Sequence, residues 1–183
     1  MARLTTTVGV FVALFNPHEH DKLLVRRRVE EPTFQGNWDL PGGGVEEAGG
    51  PDYDHLVAEG FRELEEEVGI EVPIIPGYVY SMYAAFLKGK TANDLALVIP
   101  IASYSYPTRG ETRWVSVDEL NAMAREFISL DEAKKQGLNE ARGLVSGWGK
   151  RMHRLALSAF TSMPSGPYLN EAVRTLYQIS TAT

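Results

Sequence analysis

The feature that most constrains this chain is one short run, Arg62-Glu63-Leu64-Glu65-Glu66-Glu67-Val68-Gly69-Ile70. Set on a helix at about 100° per residue, Val57, Phe61, Leu64 and Val68 fall in one narrow sector, an apolar stripe suited to lie on a sheet. Glu63, Glu66 and Glu67 fall roughly opposite, related by i, i+3 and i+4 spacing. Gly69 stops the helix where a left-handed residue is wanted. Three carboxylates on one face repel one another, and hard cations such as Mg²⁺ or Mn²⁺, which prefer oxygen ligands, relieve that repulsion. Taken alone, a glutamate-rich helix face is ordinarily a solvated surface. The residues upstream point the other way. Trp38-Asp39-Leu40-Pro41-Gly42-Gly43-Gly44-Val45-Glu46 reads as a strand running into a glycine turn, where backbone comes close to a ligand and carbonyls are open to a metal.

Composition narrows the classes. A chain of 183 residues with 44% apolar and 23% charged residues is an ordinary globular profile, long enough for a full core. A net charge of −6 argues against stable nucleic-acid binding through phosphate contacts. It leaves a nucleotide substrate open, because a bound cation reverses the local sign. The sequence contains no cysteine, which excludes disulfides, a thiol nucleophile and a cysteine zinc site, and suits a reducing cytoplasm. The apolar run Val8–Phe15 is too short for a membrane span, and Asn16-Pro17-His18-Glu19 follows it in place of a small-residue cleavage site. It reads as a buried strand, and no membrane partner is expected.

Residues 5–15 and 22–28 form a hairpin pattern around the polar turn 16–21. His18 and His20 in that turn are given no role. On the returning strand Arg26 and Arg28 share a face and Arg27 points away, so either of the pair is a candidate for holding substrate phosphate through a forked guanidinium; the plain alternative is an edge strand protected by charge. Trp38 reads as core. Strands are expected over residues 72–75, 78–86 and 95–104, with Tyr78, Tyr80 and Tyr83 as candidates to line a nucleoside pocket. The loop 104–110, with Pro107 and Gly110, is where specificity would lie. A short helix begins at Val117, and helical patterns follow over 130–144, 150–160 and 168–179, broken by Gly147, Gly149 and residues 163–167.

The paired glycines followed by Arg62-Glu63-Leu64 and Glu66-Glu67 before Gly69-Ile70 resemble the signature of the Nudix hydrolases, which cleave nucleoside diphosphates linked to another moiety. The helix half matches position for position. Residues 111–120, Glu-Thr-Arg-Trp-Val-Ser-Val-Asp-Glu-Leu, are similar to a strand-then-helix step common in that family, so the resemblance spans roughly residues 5–123. It implies an α/β (α+β) fold, an α/β/α sandwich on a mixed central sheet, with residues 1–124 as the hydrolase domain. Residues 125–183 are then a helical extension packed on the same domain, which covers the sheet, forms a lid or mediates a homodimer.

The resemblance further implies metal-dependent hydrolysis of a phosphoanhydride in a nucleoside triphosphate or a nucleotide sugar such as ADP-ribose. Mg²⁺ or Mn²⁺ would be held by Glu63, Glu66, Glu67 and the Gly43 carbonyl. Glu63 is the family's usual base or ligand, Glu111 the reserve base on a substrate-binding loop, and Arg62 the residue that orients a helix carboxylate. One departure stands out. The family carries a glutamate at a fixed distance from both the glycines and the arginine; here the first count lands on Gly49 and the second on Asp54, leaving Asp54, Asp52, Glu47 or nothing in its place. The alternative from another class is a non-catalytic Nudix-like domain that senses or regulates through a bound nucleotide. Such domains typically lose the carboxylate cluster that this chain keeps.

Overall fold

The computed structural model describes residues 6–16, 18–19, 22–29, 34–45, 52–74, 82–88, 93–103, 105–126 and 128–143. Seven strands form one mixed sheet: β1 (Thr6–Phe15), β2 (Lys22–Arg27), β3 (Trp38–Asp39), β4 (Gly42–Gly44), β5 (Tyr83–Lys88), β6 (Asn93–Ala102) and β7 (Thr112–Ser116). Three helices accompany it: α1 (Tyr53–Val68), α2 (Val117–Arg125) and α3 (Leu130–Lys135). The main strand order is β3-β2-β1-β6-β5, with β4 added to β1 and β7 to β2. β1 and β6 run parallel along their whole length, from Thr6 opposite Asn93 to Phe15 opposite Ala102, and the other pairs are antiparallel.

β1 is buried on both faces, as its unbroken apolar run requires. Val10, Val12 and Leu14 join Leu97, Ile99 and Ile101 of β6 in the core under α1. Phe11, Ala13 and Phe15 point the other way and are also buried. From α1 the expected stripe, Val57, Phe61, Leu64 and Val68, enters that core. Asp52 caps the helix by accepting the His55 N–H, and Gly69 ends it at φ 70°, in the left-handed region. α2 opens with a reciprocal capping box between Ser116 and Glu119. Among the described residues no helix is long and apolar enough to cross a membrane.

Three expectations change. Gly42–Gly44 is a short strand on β1 instead of a turn, because the glycine backbones complete a ladder that no side-chain alternation announces. Residues 72–74 are not strand, and 75 lies outside the described residues. The helix expected over 130–144 is cut to Leu130–Lys135: Gly137 turns at φ 72°, and Ile128 pairs with Arg142 across the returning chain. That segment is stitched to β3, since the Asn37 side-chain amide donates to the carbonyls of Ile128 (3.1 Å), Arg142 (2.8 Å) and Gly143. The helical patterns over 150–160 and 168–179 lie outside the described residues, as do Tyr78 and Tyr80.

Candidate active site

Because α1 is laid on β1 by its apolar stripe, the flank beside that stripe, which carries Glu63 and Glu67, is presented to β4 and the end of β2. Gly43 has no side chain to keep α1 away: a Cβ there would stand 2.7 Å from Glu63 Oε1, so only glycine lets that carboxylate rest on the strand. Next to it the Gly42 N–H donates to Glu67 Oε2 at 2.8 Å. Glu67 is also ion-paired with Arg26 from β2. Arg28 Nη1 reaches Asp39 Oδ2 at 3.0 Å, and Asp39 Oδ1 accepts the Leu40 N–H at 2.9 Å. Arg26 on β2 and Arg28, one residue past its end, each hold a carboxylate of the protein itself.

This inner end is largely buried. Arg26 is 6% exposed and Asp39 4%. Burial raises the Asp39 carboxyl against the opposing pull of Arg28 and Arg26. Burial likewise pushes Glu67 up to about 8, outweighing Arg26 and the Gly42 N–H, while the neighbouring charges of Glu63 and Asp39 add to the rise. The groups open onto a cleft of about 480 Å³ whose wall includes Arg28, Phe34, Asp39, Gly43, Glu63 and Glu67, a volume suited to a small ligand.

The outer end is wet and organised by Arg62. Its guanidinium reaches Glu59 Oε2 at 2.8 Å, Glu63 Oε1 at 2.7 Å and Glu66 Oε2 at 2.6 Å, with 43% of the side chain exposed. The hydrogen bond from Arg62 lowers the Glu59 pKa, and Glu59 and Glu66 in turn hold Arg62 more firmly protonated. Arg62 therefore orients helix carboxylates, the geometry its position suggested.

Among the described residues, no three carboxylate or imidazole groups stand together as a ready metal cluster. The reason is visible: Arg62 draws Glu63 and Glu66 outward while Arg26 draws Glu67 inward. The donor chemistry still fits a hard divalent ion. Glu63, Glu67 and the Gly43 backbone share one cleft wall, and Glu66, one residue before Glu67, is held by the exposed Arg62.

Other candidates stand apart. Glu111 is exposed and bonded to Arg27 Nη1 at 3.1 Å, on the arginine that leaves β2 away from Arg26 and Arg28. Tyr83 opens the edge strand β5, opposite Val98; β5 is three strand spacings, about 14 Å, from β2. Asp52 serves as the cap of α1, and Asp54 is exposed in its first turn, about 13 Å along the axis from Glu63. Glu47 and Gly49 lie outside the described residues.

Three residues had drawn no attention in the sequence. Asp39 follows Trp38 with no local signature. Phe34 carries φ 57°, a conformation unusual for an aromatic residue, on the cleft wall. Arg109 sits in the loop before β7, between Pro107 and Gly110; a cation in a loop already suspected of setting specificity was the available clue.

Comparison with known proteins agrees with this geometry. A family model described as the NUDIX domain matches residues 5–145. An uncharacterised Nudix hydrolase of Pseudomonas aeruginosa is 40% identical over 127 residues, 69% of this chain and 67% of that protein. Among solved structures, the NUDIX domain of Shewanella oneidensis NrtR, determined with ADP ribose, covers 86% of this chain and 89% of its own at 16% identity and TM-score 0.53. The E. coli ORF135 protein covers 89% and 96% at 15% identity and TM-score 0.52. These structures share the fold. With the family model spanning most of its length and a signature helix set against a glycine strand, the chain belongs to the Nudix hydrolase family.

Proposed function

We propose that this protein hydrolyses a phosphoanhydride bond in a nucleoside diphosphate derivative, a nucleoside triphosphate or a nucleotide sugar such as ADP-ribose. One observation carries the reading: Glu63 and Glu67 meet the Gly42–Gly43 backbone on the wall of a ligand-sized cleft, with Arg26, Arg28 and Asp39 beside them. Glu63, Glu66, Glu67 and the Gly43 carbonyl are the residues that would hold Mg²⁺ or Mn²⁺. Such an ion offsets diphosphate charge and makes water acidic enough to attack near neutral pH.

In the reaction, the oxygen of a water molecule attacks one phosphorus of the anhydride. The bond from that phosphorus to the bridging oxygen breaks, and the other phosphate leaves with the oxygen. The proton passes to a carboxylate. Glu63 fits that role better than Glu111, because Glu63 lies against Gly43 on the cleft wall and Glu111 is not part of that wall. Arg62 positions Glu63 and Glu66, and Arg26 fixes Glu67. Catalysis of this kind rests mostly on positioning and electrostatics. The same reading places the protein in the cytoplasm, where nucleotide substrates are found, and assigns residues 125–183 to an extension of the catalytic domain.

The test is phosphate release, coupled through pyrophosphatase or phosphatase, from triphosphates, oxidised triphosphates, ADP-ribose, other nucleotide sugars and dinucleoside polyphosphates, with and without Mg²⁺ or Mn²⁺. Metal-dependent cleavage of one class is expected. If nothing is cleaved while one nucleotide raises the Tm, the catalytic reading falls and a nucleotide-binding sensor replaces it.

A further inference from the structure

A second cleft of about 460 Å³ lies beside the first, on the other side of Glu67. Arg26 and Glu67 belong to both walls; Arg27, Glu66, Arg109 and Gly110 complete the second. Its charges mostly cancel in pairs. Arg26 is matched by Glu67, Arg27 by Glu111 and Glu140, and Glu66 by Arg62. Arg109 is different: among the described residues it has no carboxylate within ion-pairing distance.

Its loop is nevertheless anchored. The Thr108 N–H and the Arg109 N–H both donate to the Val68 carbonyl, at 2.9 and 3.2 Å, and Thr108 Oγ1 donates to the Gly69 carbonyl at 3.1 Å. These bonds satisfy the carbonyls that the end of α1 leaves open. The Arg109 stem lies over Gly69, so close that a Cβ there would be 3.1 Å from Arg109 Cγ. The backbone and stem of Arg109 are thus held on the helix that carries Glu66 and Glu67, and among the described residues its charge has no carboxylate partner.

We infer that the second cleft is an anion subsite in which Arg109 grips the phosphate-bearing half of the substrate beyond the bond that is cut. The first cleft, with Phe34, Val8 and Phe11 in its wall, takes the less polar nucleoside half. This assignment rests on the proposed hydrolase reading, which puts the scissile bond near Glu67, the shared wall. A planar, forked donor suits a phosphate dianion, and a fixed loop presents it without an ordering cost at binding.

Inorganic pyrophosphate is the probe, because its binding is measurable whether or not anything is cleaved. Titration calorimetry with Mg²⁺ present is run on the wild-type chain, Arg109→Ala, Arg109→Lys and Arg113→Ala. The last removes an equal charge from an exposed arginine paired with Glu119 outside both clefts. Expected is about tenfold weaker binding for Arg109→Ala, the loss of one charged hydrogen bond. Arg109→Lys should fall between, and Arg113→Ala should match the wild type. In turnover, Arg109→Ala should raise KM for the cleaved substrate with kcat nearly unchanged. Equal pyrophosphate affinity in the wild type and Arg109→Ala, or equal losses in Arg109→Ala and Arg113→Ala, would overturn the subsite. Failure of the substrate panel, with the Arg109 effect on pyrophosphate intact, would instead sink the hydrolase reading and leave the subsite standing.

Discussion

The two ends of the carboxylate site are built on opposite principles. At the inner end Asp39 is buried and Glu67 half-buried, each against an arginine from β2 or the residue after it and a backbone N–H. At the outer end three glutamates share one half-exposed guanidinium, Arg62. Buried charges are strongly coupled to folding and to protons, whereas exposed pairs are worth little and exchange readily. The contrast suggests a division of labour: the inner end sets the frame, and the outer end supplies carboxylates that can change partners.

Removing Arg26 should separate the two ends most. Arg26→Ala takes away the ion-pair partner of Glu67 and the second of the two cations acting on buried Asp39, and is expected to cost about 3–5 kcal/mol in urea unfolding at pH 8. Arg62→Ala, measured alongside, should cost about 0–1 kcal/mol. Equal costs would erase the distinction. Next comes Glu67→Gln, expected to lower turnover on the order of a hundredfold, a few kcal/mol of lost charge stabilisation, with the fold retained by circular dichroism. Near-wild-type turnover would remove Glu67 from the reacting group.

Protons sharpen the same comparison. The folded-state value of Glu67 is raised from 4.5 to about 8, and Asp39 is raised as well. The folded protein therefore binds protons that the unfolded chain has released. Stability in chelator should be greatest below about pH 4.5 as far as these groups decide it, and should fall as pH climbs toward 8. Glu67→Gln should flatten that slope, and Arg62→Ala should leave it alone. A wild-type profile that rises across the window would contradict the inner-end assignment. The smallest effect is expected at Asp54→Asn: an exposed residue about 13 Å along the helix from Glu63 should change neither rate nor metal requirement.

What could be read from the sequence follows from how local each signal is. The body and C-terminal end of α1 were legible, because the Val57-Phe61-Leu64-Val68 period and the Gly69 stop are local to the helix. β1 and β2 were legible for the same reason. β4 was not, since glycines carry no alternation and its pairing with β1 is decided some thirty residues away in the chain. The arginine run was half legible. Alternation put Arg26 and Arg28 on one face, but their engagement by Glu67 and Asp39 depends on where α1 and β3 come to rest. Arg62 next to Glu63 and Glu66 was a within-helix matter, and so its ion pairs could be anticipated. The segment after α2 was misread as one long helix because its apolar period continues past Gly137, where the backbone turns.

Asn37 bears on how short a working version of this protein can be made. Its amide spans the carbonyls of Ile128, Arg142 and Gly143, and the Trp38 N–H also bonds to the Gly143 carbonyl at 3.0 Å. A truncation after Arg125 would strip acceptors from the strand that holds Asp39 and, through Arg28, from the rear of the cleft. The smallest autonomous fragment should therefore run through Gly143, well past the last residue of the signature, and a protease that nicks between α3 and Arg142 should loosen the first cleft from behind.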